Sequence, residues 1–230
     1  MTPVLSNIVF ELIEKGGPIM WPLIACVFAA VCIALERAFF WIRVFKKCSS
    51  DKLHSSFEAL ASGKFEEAEQ LSAQSVNPLH QLINTGIRNA HSSLLGSMQM
   101  KATKMLNDGE KRMWVLNTLI TLAPLLGLMG TVIGIMDSFN FAGDAELAVT
   151  KVSGGIGEAL IATACGLGVA IAALIPFNFF KRCQHSLKTR LEETINTTEL
   201  FNNDARNHGH DLEAFSLQLK AQSGEMQNAG

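Results

Sequence analysis

Thr131, Thr163 and Glu158 are the residues whose types and surroundings could support chemistry. Thr131 lies in a charge-free run covering 113–136, Thr163 lies in a second covering 159–180, and Glu158 stands immediately before the second. A hydroxyl in an apolar run can order water or bond a neighbour, but it does not titrate near neutral pH. A carboxylate at membrane depth normally faces a partner or water. The chemistry on offer is proton handling, and it is incomplete. Any proton path needs Glu158 or a carboxylate supplied by another chain.

These residues sit on helical faces of small and polar side chains. Asn117, Pro124, Thr131 and Ser138 recur every seven residues, with Thr121, Gly127 and Gly134 three or four positions from members of that set. Glu158, Ala162, Gly166 and Ala170 form an i, i+4 ridge, and Thr163 lies beside it. Gly130 and Gly134 make a G-x-x-x-G notch. Such faces serve either tight helix packing, with threonines bonding their own helix, or a polar lumen shared between chains. The pattern leaves both open.

The elements that carry these faces follow from composition. The chain has 230 residues, 48% hydrophobic and 17% charged, and three runs without charge cover 16–35, 113–136 and 159–180. Each reaches the roughly 20 residues that cross a bilayer as a helix. The fold class expected is an all-α integral membrane protein with three transmembrane helices. Ten of the 19 Lys and Arg residues lie in 43–114 and six follow Phe180, whereas Lys151 alone lies in 138–157. The excess of positive charge on cytoplasmic loops then orders the chain. The segments are a periplasmic interfacial helix at 1–18, spans at 19–42, 113–137 and 158–180, a cytoplasmic helical loop at 43–112, a short periplasmic loop at 138–157 and a cytoplasmic C-terminal helix and tail at 181–230. Glu11 and Glu14 stand where a signal peptide would be basic.

Other chemistries find no support. No nucleophile–base pair, metal-ligand cluster or phosphate loop is visible, so no enzyme activity, cofactor or metal is expected. Cys26, Cys32 and Cys165 fall in the spans, Cys48 and Cys183 just beyond them, without disulfide or metal spacing. His208 and His210 read as a solvated tail. A net charge of −2 without a basic stripe gives no nucleic-acid partner.

Outside the spans, residues 4–15 read as an amphipathic surface helix. Breaks are expected at Ser62-Gly63 and Asn77-Pro78, with Phe65, Ala68 and Leu71 on one face between them. A helix is expected to run unbroken from about Ser97 into the second span. After Phe180, Leu187, Leu191 and Ile195 form one packing stripe and Leu212, Phe215 and Leu219 another, with Asn202-Asn203 and Gly209 as points of interruption.

The run from Ala123 to Met136 (A-P-L-L-G-L-M-G-T-V-I-G-I-M) and the later G-I-G-E-A-L-I-A-T-A-C-G-L from Gly155 to Leu167 resemble the MotA/TolQ/ExbB proton channel family. Leu35-Glu36-Arg37, Gly63-x-x-x-Glu67-Ala68 and Pro78 extend the resemblance over roughly 15–185, and three spans with a G-G-P-I-M-W-P opening look more like the ExbB branch than TolQ. The resemblance implies a homo-oligomeric, pentameric ring in the bacterial inner membrane, with the N-terminus periplasmic and the C-terminus cytoplasmic. The ring would enclose two copies of an ExbD/TolR-type single-span partner carrying a membrane aspartate. Thr131 and Thr163 would line the inner surface beside that aspartate, and Glu158 would lie near the outer mouth. Asn117, Thr121, Pro124, Gly127, Gly134, Ser138, Ala162 and Gly166 would be pore-lining or packing residues. The function implied is a motor driven by the proton motive force, acting through a TonB-like or TolA-like protein. Protonation of the partner would loosen its hold on the threonines. The alternatives are a Tol-Pal type envelope-maintenance motor and a passive scaffold recruiting partners through cytoplasmic helices. One departure stands out: the family's proline matches Ala172, whereas here proline comes later, at Pro176.

Overall fold

A computed structural model describes the backbone of residues 16–48, 53–140 and 145–228, with side chains of 140, 145–152 and 223–228 left aside. The expected surface helix at 4–15 lies outside the described residues. Nearly everything described is helical: α1 (Met20–Lys47), α2 (Leu53–Ala61), α3 (Phe65–Ala73), α4 (Pro78–Arg88), α5 (Ala90–Glu110), α6 (Met113–Asn140), α7 (Ala145–Asn207) and α8 (Leu212–Asn228). Among the described residues, three stretches of helix, in α1, α5–α6 and α7, are long and apolar enough to cross a membrane. The chain divides into two compact units, Met1–Ala38 with Arg112–Phe180, and Phe39–Lys111 with Lys181–Gly230.

The first unit inverts the packing of a soluble protein. Its small residues are inside: Ala123, Ala162 and Ala170 cluster with Ile19, Met20 and Leu23 at the start of α1. Its large residues are outside, with Phe28, Leu125, Val132, Leu160, Ile171 and Ile175 each more than half exposed. Lipid is as apolar as leucine, so helices in a bilayer associate through close contact of thin faces and leave bulky side chains to the solvent of hydrocarbon. Pro124 and Pro176 both lie within continuous helix.

The second unit packs in the ordinary way. Leu60, Ile83 and Ile87 are fully buried among Ala59, Phe65, Ala68, Ala90, Ala205 and Leu212. Each large member contributes about 1.5–3 kcal/mol by leaving water. The expected breaks occur where the turn residues stand. Gly63 adopts φ 71°, and Asn77 caps α4 by accepting a 2.9 Å bond from the Leu79 N–H, with Pro78 in the first turn. Asn77→Ala removes that acceptor and should lower stability by about 1 kcal/mol, read as a shift in the denaturation midpoint of the purified protein. The Leu187, Leu191 and Ile195 stripe is buried. Burial pushes the Cys48 thiol up, against the pull of Arg190, which leaves it a poor nucleophile.

Three expectations need correction. The helix from Ser97 does not continue into the second span: α5 ends at Glu110, Arg112 takes φ 62°, and α6 starts afresh at Met113. Lys111 is extended there (φ −48°, ψ 131°), although the local sequence favours helix. Asn202-Asn203 do not interrupt α7, which runs through to Asn207 and stops before Gly209 at φ 85°. The connection expected over 138–157 is largely helical, since α6 extends to Asn140 and α7 begins at Ala145.

Candidate functional site: a threonine pair at a glycine-lined seam

The seam between α6 and α7 is built by residues without side chains. A methyl placed on Gly166 would come within 2.5 Å of the Ala123 carbonyl oxygen and 3.1 Å of the Gly127 Cα. On Gly127 it would meet the Thr163 Cα at 2.9 Å and the Ala162 oxygen at 3.0 Å. Gly134 faces the Gly155 carbonyl and Ala159 in the same manner. Neighbouring backbones touch here, and only glycine permits it. At one end the buried Ser138 donates to the Gly134 carbonyl at 2.7 Å and rests against Gly155.

This contact decides what the threonines can do. Thr163 Oγ1 donates across the seam to the Gly127 carbonyl at 2.9 Å. Thr131, one turn further along α6, donates to the Leu128 carbonyl at 2.6 Å. In a regular helix the Gly127 carbonyl also receives the Thr131 backbone N–H, so both threonines meet at one peptide group. A carbonyl oxygen cannot donate, so each hydroxyl proton is committed to the backbone. What Thr131 and Thr163, both half-buried, can still present is lone pairs. A pair of acceptors suits a group that brings a proton, such as a neutral carboxylic acid.

Glu158 sits apart from the pair. It is half-buried, and its carboxylate lies against Gly17, which has φ 66° in the turn before α1. Nothing in the local sequence Gly16-Gly17-Pro18 points to this contact. An unoccupied Cβ position and a left-handed φ coincide at Gly17, so the contact was not legible without coordinates. Of the remaining expected site residues, Gly127, Gly134, Ser138, Ala162 and Gly166 lie buried at the seam, while Pro124 is half-buried and Asn117 and Thr121 are exposed. Thr121 donates to the Thr118 carbonyl at 2.9 Å.

Residues 74–193 match the MotA/TolQ/ExbB proton channel family. The chain belongs to this family. A Synechocystis protein named ExbB-like 1 is 35% identical over 71% of this chain and 66% of its own length. A second, ExbB-like 3, is 33% identical over 72% of this chain and 81% of its own. The biopolymer transport protein ExbB of Neisseria gonorrhoeae is 35% identical over 50% of this chain, which spans about half (47%) of that relative. The matched residues cover α4, α5, α6 and most of α7, including Thr131, Glu158 and Thr163.

Proposed function

We propose that this chain is the ring-forming subunit of an ExbB-like motor in the bacterial inner membrane, driven by the proton motive force. Five copies surround an ExbD/TolR-type pair whose membrane aspartate carries the proton, and the enclosed partner passes work to a TonB-like protein. The N-terminus is periplasmic, and residues 43–112 and 181–230 are cytoplasmic. The observation that carries this reading is the placing of both threonine hydroxyls on successive carbonyls of α6, Thr163 on Gly127 and Thr131 on Leu128, within the part of the chain that matches the family.

Hydrogen-bond direction changes the cycle expected from the resemblance. With both hydroxyl protons committed to backbone carbonyls, the ring site favours the protonated aspartate, which can donate to the free lone pairs. Deprotonation therefore loosens the grip, and the charged guest leaves for a hydrated position at the next subunit. Each proton crossing 100 mV releases about 2.3 kcal/mol, enough to bias such a step.

Co-expression with the adjacent reading frame, native mass spectrometry and proton flux in proteoliposomes test the proposal. A five-to-two complex that conducts protons only when the partner is present is expected. A ring that conducts equally without the partner, or no association with any single-span acidic protein, overturns it. The scaffold alternative is weakened because its candidate docking stripe, Leu187, Leu191 and Ile195, is already buried within the chain's own second unit.

A further inference from the structure

Arg112 is the one non-glycine residue with positive φ among those described. An L-residue enters that region against the crowding of its Cβ by the carbonyl. Nothing local calls for it. Glu110, Lys111, Arg112 and Met113 are good helix formers, and Gly109 lies inside α5 rather than at the break. Lys111 still donates its N–H to the Asn107 carbonyl at 3.2 Å, as a continuing helix requires.

An ion pair coincides with the break. The Arg112 guanidinium pairs with Glu36 Oε2, while Glu36 Oε1 accepts a 2.9 Å bond from Arg37. The Glu36 side chain is 38% exposed and that of Arg37 6%. Arg37 is adjacent to Glu36 on α1. Arg112 reaches the carboxylate from the left-handed conformation seen here, which ends α5.

We infer that residues 111–112 form a two-state joint, latched by the Glu36–Arg112 ion pair. Latched, Lys111 is extended (φ −48°, ψ 131°), Arg112 is left-handed, and α5 and α6 are separate. Released, both residues take right-handed helical angles, the N–H groups of 112–114 find the carbonyls of 108–110, and the two helices run as one. The short Val115 N–H bond to the Arg112 carbonyl, 3.1 Å, is exchanged for one to Lys111. A ligand or load that draws Glu36 away releases the joint. The inference does not rest on the proposed motor function.

Hydrogen exchange of the full chain in lipid nanodiscs tests it at the amides of Arg112, Met113 and Trp114. In the wild type these amides exchange fast. Glu36→Gln and Arg112→Ala should slow them by about tenfold or more, because they gain helical partners. Arg112→Lys retains the pair and should match the wild type. The idea is overturned if Glu36→Gln and Arg112→Ala exchange at the wild-type rate, or if they melt α6 and exchange faster. Wild-type amides already as protected as those of the following turns overturn it equally.

Discussion

Replacing Thr131 and Thr163 together by valine should cut partner-dependent proton flux by about 100-fold, from the loss of two acceptors worth about 1–3 kcal/mol each to a buried acid. The ring should still assemble. Valine keeps the branched shape, and the Leu128 and Gly127 carbonyls that lose a hydroxyl still receive the helical N–H four residues on. Loss of the bond across the seam should weaken the fold by only about 0.6 kcal/mol. Quenching of a pH-sensitive dye in proteoliposomes reads the flux, and native mass spectrometry reads the assembly. Undiminished flux through an intact ring removes the threonines from the proton path. A single Thr163→Val should give about tenfold, since one acceptor survives.

The second large effect concerns space rather than protons. Gly166→Ala drives a methyl into the Ala123 carbonyl, at 2.5 Å, and both atoms belong to backbones that cannot rotate aside. The helices must part, at a cost of about 1–3 kcal/mol or more. Gly168→Ala, two residues away, meets nothing within 4 Å and should be neutral or gain a few tenths up to about 1 kcal/mol from helix propensity. Thermal melting of the detergent-solubilised protein should separate the two substitutions by several degrees. Equal melting temperatures would show that the seam is looser than its geometry indicates. Gly166→Leu should not accumulate as folded protein.

The reach of the sequence follows from which interactions are local. Three charge-free runs determine three apolar helices, because backbone groups in hydrocarbon have no partner except their own helix. Gly63, Asn77-Pro78 and Gly209 mark ends of helices since turn chemistry is contained within a few residues. The seven-residue recurrence of Asn117, Pro124, Thr131 and Ser138 groups these residues on one face without dividing it. Coordinates separate the buried Ser138 from the exposed Asn117 and show Gly127 bonded to Thr163. Non-local pairings were out of reach. Nothing near Arg112 announces its pairing with Glu36, and nothing near Glu158 announces Gly17. The Thr163 hydroxyl bonds a carbonyl that only packing brings opposite it, whereas Thr131 bonds its own helix.

The core of the second unit has a bearing on biosynthesis. Leu60, Ile83 and Ile87 emerge early from the ribosome, yet Ala205 and Leu212 of the same cluster are made only after both later membrane crossings. The early helices must therefore wait, partly uncovered, while the translocon handles the intervening hairpin. Threading of the chain is finished before its water-facing part can lock, so a mis-inserted hairpin leaves a greasy surface open to chaperones and proteases.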